Sequence, residues 1–454
     1  MSRDNVCKLH LAFDDIDSPY GGCTTHAATH LLGLLQHRLN IELLDYPHLV
    51  RLNPSIPWKT RGNGAIALHI FLDCKEIEQA IHIAEDFLLK YLDHFKGAKQ
   101  DAGLIAVSGS IPELFSNIYK RALTDILEMS IIMEHVNKIR NVYVSEHLCG
   151  RGLVGAVAAL GWYYNMTDYT FELLTYRSIS RLENPERCID IRSVIDFDAK
   201  YSKHTFNNID TESHRILITS HGLDPVLYGI RGDDPSILRL ALHEIRVCEP
   251  IAAWAIFRTN QATDAHIMER KVADIRAFQT ARVRGIIISN PSQIAGGHIL
   301  VKLADTTGQI TVAFFKPSGL TYVASQLNIG DLVEVQGSVK PWREELVLHA
   351  EKIRILNLSI NQRPTPYCPR CGSKMKKIGK GKGFMCLACG YRTTIITQTK
   401  TIIRALNHAI YIPPPRAQKH LVKPLQRYGK LKPYKSDFTK SEPTFEIYEP
   451  LHFL

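Results

Sequence analysis

Three aspartates stand close together near the start of the sequence. Asp14, Asp15 and Asp17 follow residues 7–13, in which apolar and polar side chains alternate as in a β-strand. Carboxylates this close repel one another, so their pKa values rise unless a cation balances them. Mg²⁺ prefers oxygen ligands and usually binds one or two carboxylates together with substrate phosphates. The cluster therefore predicts a magnesium site, and a solvated acidic turn that caps a helix is the alternative.

A predicted helix begins behind the aspartates, at Thr24 or Thr25, and runs to about Leu39 with an apolar stripe. Either threonine is a natural N-cap. The free N–H groups and the positive dipole end of a helix suit a phosphate, and Gly21 and Gly22 strengthen this prediction of a nucleotide site. The sequence has no G-x-x-x-x-G-K-[ST] loop and no protein-kinase signature set, so the site would be unusual for phosphoryl transfer.

The segment WKTRGNG at 58–64 is a basic loop that contains two glycines. Lys59 and Arg61 are suited to hold a polyphosphate, and the glycines let backbone N–H groups approach it closely. A basic surface loop before a strand explains the same residues equally well. The residues assigned to nucleotide binding in this loop are Gly62, Asn63 and Gly64.

Four of the ten cysteines form two Cys-x-x-Cys pairs. Zn²⁺ takes four tetrahedral ligands, and two such pairs supply four thiolates, which leaves no open position for catalysis. The sequence therefore predicts a structural zinc ribbon, and four reduced thiols without a metal are the alternative. The other six cysteines are scattered singly, unlike a secreted disulfide framework. The predicted zinc ligands are Cys368, Cys371, Cys386 and Cys389.

The chain of 454 residues is long enough for two to four domains. Strand and helix patterns alternate in the first half, which favours α/β or α+β layers. After residue 280 there are short β-rich runs that fit an OB-type barrel, and another small antiparallel barrel, such as an SH3-like one, is the alternative. The predicted strands of this barrel are 283–289, 298–303, 309–315, 331–339 and 345–350.

The formal net charge is +10, and the lysines and arginines are unevenly distributed. Crowded cations suit a nucleic-acid partner, because they displace counterions from its phosphates. No run is long and apolar enough to span a bilayer, and a cytoplasmic location is the default expectation. The two crowded groups are Lys374, Lys376, Lys377, Lys380 and Lys382, and then Arg416, Lys419, Lys423, Arg427, Lys430, Lys432 and Lys435.

Several long motifs carry a family resemblance. Those in the first half are FDDIDSPYGGCTTHAATHLL, RLNPSIPWKTRGNGA, GRGLVGAVAALG, LDPVLYGIRGDDP and FRTNQATDAH. Those in the second half are GGHILVKLADTTG, CPRCG with KGFMCLACG, and PPPRAQKHLVKPL. In these motifs, which run in order across almost the whole chain, the sequence resembles the archaeal tRNA-isoleucine 2-agmatinylcytidine synthetases, the TiaS family.

The resemblance implies an ATP-dependent ligase that joins agmatine to carbon two of the wobble cytidine in a tRNA-isoleucine with a CAU anticodon. ATP is consumed to AMP through phosphoryl activation, and the modified base pairs with adenosine. The family's aspartates, here Asp14, Asp15 and Asp17, would bind ATP and Mg²⁺. A threonine of its Cys-Thr-Thr motif is phosphorylated, which implies Thr24 or Thr25 without separating them. The alternative is a non-catalytic nucleic-acid-binding protein with an OB fold and a zinc ribbon.

The resemblance also implies a multidomain α+β fold and a chain that acts as a monomer. Its kinase-like and ferredoxin-like domains can interleave, so the boundary between them is open. The expected domains are a kinase-like ATP-binding α/β domain at 1–135, a ferredoxin-like domain at 136–275, a five-stranded OB-fold barrel at 278–358, a zinc ribbon at 364–396 and a basic C-terminal region at 397–454.

The sequence departs from the family pattern at three positions. Ile16 replaces the threonine of Asp-Asp-Thr-Asp, which removes a hydroxyl close to the expected metal site. Gly22 stands where the family has methionine, and Ala262 replaces the glycine that usually follows Thr-Asn-Gln. All three aspartates of the signature remain.

Agmatine is a dication, so its pocket should contain carboxylates or carbonyls. The candidates in polar loops are Asp233, Asp234 and Asp264, and a surface turn is the more common explanation for any one of them. A flipped wobble base would be held by stacking. The candidates for stacking are Phe314, Phe315, Tyr322 and Trp342, of which at least half are expected in the barrel core.

Overall fold

The structure is a computed structural model, and it describes residues 5–359, 361–362, 366–379, 382–394, 400–401, 404–434 and 443–453. Lys380 and Lys435 from the two basic groups lie outside these residues. Within the described ranges, no helix is long and apolar enough to cross a membrane.

Residues 6–162 form an antiparallel sheet with helices on both faces. The strands are β1 (Val6–Asp14), β2 (Glu42–Leu43), β3 (His48–Arg51), β4 (Gly64–Asp73), β5 (Gly103–Ser108) and β6 (Val142–Cys149). The helices are α1 (Thr24–Arg38), α2 (Ile77–His94), α3 (Leu114–Thr124), α4 (Met129–Val136) and α5 (Gly152–Trp162). In β1, Leu9, Leu11 and Phe13 pack into one core with α1 and α2, and Ala12 packs into the other with α3 and α5. The predicted alternation along this strand is therefore confirmed.

Residues 170–259 extend the same sheet. Its strands are β7 (Thr170–Tyr176), β8 (Thr205–Phe206), β11 (Val226–Gly232) and β12 (Ala253–Thr259), beside a small hairpin of β9 (Ile209–Asp210) and β10 (Arg215–Ile216) and the helices α6 (Ile191–Tyr201) and α7 (Pro235–Glu244). The strand order is β6-β5-β1-β4-β3-β12-β7-β11-β8, and β3 and β12 run parallel where the two halves meet. Because β6 and α5 pack on β5 and β1, the sheet has no break at residue 135.

The expected OB barrel forms from residues 280–357. Its long strands are β13 (Thr280–Ile287), β15 (His298–Ala304), β16 (Gln309–Phe314), β17 (Leu332–Trp342) and β18 (Glu345–Asn357), with the short strand β14 (Ser292–Ile294) and the helix α8 (Thr321–Ser325). Pairing in the order β13-β17-β18-β16-β15, with β15 also paired to β13, closes the barrel. The prediction of five strands is confirmed, although β17 and β18 are longer than expected.

The cysteine-rich segment carries the small strands of a ribbon, and the chain then returns across the molecule. The strands are β19 (Asn361–Gln362), β20 (Lys376–Lys377), β21 (Phe384–Met385), β22 (Arg392–Thr393), β23 (Lys400–Thr401), β24 (Ile410–Tyr411) and β25 (Phe445–Ile447). The last of these, β25, pairs with β12, so the chain ends against the large sheet. Residues 404–434, here called the C-terminal strap, lie between the barrel and that sheet.

The basic residues of the C-terminal strap bind carboxylates of the protein itself. Arg427 is 1% exposed and reaches Asp168 and Asp233, each at 2.8 Å. The other ion pairs of the strap are Arg404 with Asp331, Arg416 with Asp210 and Glu212, Lys419 with Glu351, Lys423 with Asp168, and Lys430 with Asp233. The expectation that this charge is available for nucleic acid is therefore wrong for the buried Lys423 and Arg427, whereas Arg416, Lys419 and Lys430 remain exposed. Together these ion pairs fasten the strap to the sheet and the barrel.

Two disulfides join four of the cysteines that the sequence left scattered. One links Cys7 to Cys74 and the other links Cys188 to Cys248, with sequence separations of 67 and 60. In each bond the partners are brought together by long-range packing, as where Cys7 in β1 lies beside the end of β4. Because the pairing depends on sheet register, the spacing of the cysteines gave no sign of it.

Candidate active site

The three aspartates lie where β1 leaves the sheet. Asp14 ends the strand and is 7% exposed, and its Oδ1 accepts the backbone N–H of Asp15 at 2.8 Å. Asp15 adopts a left-handed backbone with φ +58°, which turns the chain sharply. Beyond the turn, Asp17 lies at the beginning of α1. Ile16 points the other way, into the core beneath α1, so the hydroxyl that this position lacks would not reach the site.

Burial and mutual repulsion disfavour ionisation of this cluster. Burial, and then the neighbouring Asp15, raise the pKa of Asp14. Burial, and then the charges of Asp17 and Asp101, raise the pKa of Asp15 to about 6. In the described part of the chain, none of the three carboxylates has an ion-pair partner within 4.0 Å. Oxygen ligands whose charge lacks a counter-ion are a donor set that fits Mg²⁺.

Asp14 and Asp15 line a cavity of about 290 Å³, here called the acidic cavity. Its walls are apolar on one side, and Trp58 and Arg151 stand together at its rim, with the guanidinium 5.8 Å from the ring centre. The other polar lining residues are Lys59, Asn63, Asp125 and Glu128, and the apolar ones include Leu52, Ile56, Leu127 and Met129.

Asp17 faces a second cavity, of about 260 Å³, here called the arginine cavity. It lies between the start of α1 and the strands that follow residue 170. Three arginines contribute to its wall, which suits an anionic ligand. Its polar lining residues include Asp17, Thr24, Thr25, Arg51, Arg61, Glu172, Asp224, Arg231 and His420, and Gly62 and Gly64 also line it.

Asp17 caps the first turn of α1. Its Oδ1 accepts the backbone N–H of Thr24 at 2.9 Å and the hydroxyl of Thr24 at 3.1 Å. Thr25 is placed differently, because its Oγ1 lies 3.2 Å from Sγ of Cys23. The expectation that Thr24 or Thr25 caps the helix is wrong, since the N-cap position is Cys23 and the capping carboxylate comes from Asp17.

The loop at 58–64 contributes to both cavities. Lys59 and Asn63 line the acidic cavity, whereas Arg61 lines the arginine cavity. The guanidinium of Arg61 is held by Asp224 at 2.5 Å and by the carbonyl oxygen of Gly22 at 2.9 Å. The loop is therefore fixed against both the aspartate segment and the second half of the sheet.

Gly21 and Gly22 are not among the residues that line these cavities. Gly21 has φ +116°, and a Cβ there would lie 2.9 Å from the side chain of Leu182. A Cβ on Gly22 would lie 3.0 Å from Ser18 and 3.1 Å from Phe95. Both glycines let the loop before α1 pack closely against the protein, and neither lines a cavity in which the nucleotide would bind.

The glycines of GRGLVGAVAALG have a packing role next to Asp14. All of α5 except Val154 is buried. A Cβ on Gly155 would lie 1.9 Å from Oδ2 of Asp14, and one on Gly152 would lie 2.5 Å from its carbonyl oxygen. This small-residue helix therefore presses against the end of β1 and fixes the position of the first aspartate.

Sequence reasoning missed a chain of polar residues behind the arginine cavity. Glu172 is 2% exposed and pairs with Arg231 at 2.9 Å and with Arg51 at 3.7 Å. Gln261 donates to Glu172, and His420 of the C-terminal strap lies 3.0 Å from the Gln261 amide oxygen. The motifs RLNPSIPWKTRGNGA, LDPVLYGIRGDDP, FRTNQATDAH and PPPRAQKHLVKPL contain four of these residues, but only the fold brings them together.

The three acidic candidates for agmatine binding already have partners. Asp233 pairs with Arg427, and Asp264 receives Lys352 at 2.5 Å. Asp234 accepts the backbone N–H of Ser236 at 2.9 Å and caps α7. These carboxylates are structural, and the prediction that they bind the dication is wrong.

One of the four aromatic candidates in the barrel lies in the barrel core, so the expectation of at least half is wrong. Phe314 is buried in the barrel core, and Phe315 packs between His298 and His349. Tyr322 and Trp342 are 61% and 43% exposed and remain available for stacking.

The predicted zinc ligands converge. The sulfur atoms of Cys368, Cys371, Cys386 and Cys389 all lie within 4.8 Å of one another. Four thiols at this separation fit one tetrahedral Zn²⁺, so the ribbon prediction agrees with the geometry.

Four family models match the chain in order. They are described as the TiaS TCKD domain at 10–79, the TiaS FLD domain at 150–266, an OB-fold nucleic acid binding domain at 281–356 and the TiaS C-terminal zinc ribbon domain at 365–406. A curated protein of Ignisphaera aggregans, named as the 2-agmatinylcytidine synthetase TiaS of an isoleucine tRNA, is 46% identical over 443 residues, which cover 94% of this chain and 95% of that protein. The chain belongs to the TiaS family.

Other TiaS proteins are similar over the same length. One from Staphylothermus marinus is 38% identical, with 93% of this chain and 94% of that protein covered. A crystal structure of TiaS in complex with an isoleucine tRNA and ATP has a TM-score of 0.76 at 30% identity, covering 93% of this chain and 97% of that one. A complex of TiaS with an isoleucine tRNA, AMPCPP and agmatine has the same TM-score at 28% identity and the same coverage. The expected family and fold class are confirmed.

The TiaS domains explain where the two cavities lie. Asp14 to Gly64 belong to the TCKD match, while Arg151, Glu172, Arg231 and Gln261 belong to the FLD match. Both cavities are therefore shared between these two domains. Ala262, which stands where TiaS proteins usually have glycine, has φ +57°, a left-handed conformation that glycine adopts more easily.

Proposed function

We propose that this chain attaches agmatine to carbon two of the wobble cytidine in a tRNA-isoleucine with a CAU anticodon, with consumption of ATP to AMP. The observation that carries the proposal is the hydrogen-bonded pair of Asp17 and Thr24 beside an arginine-lined cavity, in a member of the TiaS family. One chain supplies every residue of this site, which supports action as a monomer. We place the activity in the cytoplasm, where tRNA is processed.

The arginine cavity is the proposed site of the ATP phosphates. Arg51, Arg61 and Arg231 supply positive charge, and the first turn of α1 directs backbone N–H groups toward the same space. Gly62 and Gly64 leave room for close approach of the backbone. Arg51 and Arg231 share the single carboxylate of Glu172, so positive charge remains for the triphosphate, which supports this side of the site over the acidic cavity.

Asp14, Asp15 and Asp17 are the proposed ligands of Mg²⁺. They lie between the two cavities, and their charge repulsion is relieved when a divalent cation binds. Mg²⁺ would neutralise phosphate charge during phosphoryl transfer. Gly155 and the turn at Asp15 hold the carboxylates in place before the metal arrives.

Thr24 is the proposed phosphorylated threonine. Its hydroxyl already donates to Asp17, whose carboxylate can take the proton as Oγ1 attacks phosphorus. The hydroxyl of Thr25 lies 3.2 Å from Sγ of Cys23 and has no carboxylate contact within the described residues. This difference favours Thr24, which the sequence alone did not separate from its neighbour.

The acidic cavity is the proposed site of the flipped cytosine and of agmatine. A dication with a tetramethylene chain needs carboxylates beside apolar walls, and Asp125 and Glu128 stand beside Leu127 and Met129. Trp58, 47% exposed at the rim, offers a stacking surface for the base. No other cavity next to the aspartates combines these features in the described part of the chain.

The chemistry then proceeds in two transfers. Water splits ATP into AMP and pyrophosphate, and the oxygen on carbon two of the base takes the terminal phosphoryl group of the pyrophosphate. Phosphate is released, and a poor leaving group on the base has become a good one. The amine nitrogen of agmatine next bonds to carbon two, the C–O bond breaks with its electron pair on phosphate, and the amine releases protons to solvent. The residues of the two cavities contribute positioning and charge neutralisation.

The OB barrel and the zinc ribbon are the proposed holders of the RNA. Lys374, Lys376, Lys377 and Lys382 of the ribbon are all exposed, unlike the buried Lys423 and Arg427 of the C-terminal strap. Exposed lysines at a ribbon tip can bind phosphates and orient the tRNA without reading its sequence. One Zn²⁺ on the four cysteines would keep the tip folded.

Nucleoside mass spectrometry tests the proposal. The protein is incubated with ATP, agmatine, Mg²⁺ and a CAU tRNA-isoleucine transcript, and the digested tRNA is analysed. We expect cytidine to gain the mass of agmatine less one water, and AMP to form. A transcript with guanosine at the wobble position is the control. ATP left intact and an unmodified nucleoside would support the non-catalytic nucleic-acid-binding alternative.

A further inference from the structure

His420 forms part of the wall of the arginine cavity, although it lies in the C-terminal strap. Its Nδ1 is 3.0 Å from Oε1 of Gln261. Its Nε2 edge faces Gly62, where an added Cβ would lie 2.8 Å from Nε2. The ring thus has one nitrogen turned toward the protein and one toward the cavity.

The orientation of Gln261 determines which nitrogen of His420 carries the hydrogen. The Gln261 amide nitrogen donates to Oε2 of Glu172. Burial opposes the charge of Glu172, but Arg231 and Arg51 outweigh it and hold the pKa of this carboxyl below its usual value. An ionised carboxylate only accepts hydrogen bonds, so the amide oxygen of Gln261 must face His420. Nδ1 therefore carries the hydrogen.

The cavity-facing Nε2 is consequently a bare acceptor. Burial, and then the charges of Arg51 and Arg231, lower the pKa of His420 well below its usual value, so the ring stays neutral. A neutral Nε2 lone pair cannot bond to a phosphate oxygen, which is also an acceptor. It requires an O–H or N–H group from the ligand.

We propose that Nε2 of His420 accepts a hydrogen bond from a ribose hydroxyl of the nucleotide bound in the arginine cavity. His420 would then make the enzyme prefer ribonucleotides to deoxyribonucleotides. The arginines that suit the phosphates line the same cavity as His420, so the group beside His420 adjoins the phosphates. The ribose is next to the phosphates, whereas the amino group of adenine is at the far end. This inference rests on the proposed use of ATP.

Steady-state kinetics with nucleotide analogues tests the role of His420. KM is measured for ATP, 2′-deoxy-ATP, 3′-deoxy-ATP and the purine analogue without the amino group, with the wild type and with His420→Asn and His420→Ala. The asparagine can still donate to Gln261 but has no nitrogen in the place of Nε2. Circular dichroism and the melting temperature check that each variant is folded.

We expect the wild type to show a KM about 3- to 10-fold higher for one deoxy analogue, the range of one neutral hydrogen bond. In His420→Asn, KM for ATP should rise to that value, KM for the deoxy analogue should stay unchanged, and kcat should change little. An equal rise for ATP and all analogues would overturn the proposal, as would discrimination only against the analogue without the amino group. A fall in kcat at constant KM would also overturn it. If the wild type consumes no nucleotide at all, the proposed function itself has failed.

Discussion

The hydroxyl of Thr24 donates to Oδ1 of Asp17 across 3.1 Å, and the backbone N–H of Thr24 donates to the same oxygen at 2.9 Å. One carboxylate therefore fixes the start of α1 and orients a nucleophile. Asp17 and Thr24 are seven residues apart, and the tight turn between them depends on the close packing of Gly21 and Gly22.

Thr24→Val should abolish phosphorylation of the protein. The valine keeps the shape of the side chain but has no oxygen to attack phosphorus. Incubation with γ- or β-labelled ATP, followed by phosphopeptide mapping, measures the modification. Thr25→Val is the matched control and should retain the label. Label that persists in Thr24→Val and disappears in Thr25→Val would show that the neighbouring threonine is the acceptor.

Gly155→Ala should lower turnover about 100-fold, as expected when a reacting group is displaced by about 1 Å. The added methyl group meets Oδ2 of Asp14, so either the carboxylate or α5 must shift. Overpacking of this kind should also cost about 1–3 kcal/mol of stability. Val157→Ala, on the same helix, removes atoms at a position that lines neither cavity and should leave most activity. Full turnover in a folded Gly155→Ala protein would mean that the position of Asp14 is not critical.

Arg427→Met should destabilise the protein by about 3–5 kcal/mol, because it leaves Asp168 and Asp233 buried or half-buried without this partner. Urea unfolding measures the loss. Lys90→Met removes one partner of an exposed ion pair on α2 and should cost about 1 kcal/mol or less. Equal effects in the two variants would contradict the structural role assigned to the C-terminal strap.

The free energy of unfolding should fall as the pH drops below about 6.5, the ordinary pKa of histidine. Burial lowers the pKa of His30 to about 3 and that of His10 to about 4. Between the ordinary pKa of histidine and these lowered values, the unfolded chain binds protons that the folded chain does not bind. Each such histidine therefore lowers the free energy of unfolding by at most about 1.4 kcal/mol per pH unit. Urea unfolding at pH values of about 7 and about 5, on either side of that pKa, measures the slope. This slope, expressed as protons taken up on unfolding, should decrease by one in His30→Phe. It should stay the same in the control Gln36→Phe, which changes an exposed residue of the same helix without removing a titratable group.

The sequence predicted the elements whose signal is local. The alternation in β1, the helix from Thr24, the five barrel strands and the spacing of the ribbon cysteines all depend on neighbours along the chain, and each appears in the structure. The partners of Asp233 and Asp264 could not be predicted, because Arg427 and Lys352 come from distant segments. The two disulfides could not be predicted either, because each joins cysteines from distant segments.

The candidate site likewise combines residues that have a local sequence signal with residues that only the fold brings together. Asp14, Asp15 and Asp17 could be found as a cluster, but their distribution over two cavities arises from the left-handed turn at Asp15. Glu172 and His420 gave no local signal, since they meet only through Gln261 after β7 and the C-terminal strap have packed. Charge counting also overestimated the RNA-binding surface, because it could not show that Lys423 and Arg427 are buried against internal carboxylates.

The most direct test of the aspartate site is ATP consumption and tRNA affinity in Asp15→Ala. AMP formation is followed in the presence of tRNA-isoleucine and agmatine, and tRNA binding is measured by filter retention, with the exposed Asp86→Ala as the control. The account predicts that Asp15→Ala consumes no ATP while its tRNA affinity stays close to that of the wild type. Wild-type turnover in this variant would contradict the assignment of metal and nucleotide binding to the carboxylates at the end of β1.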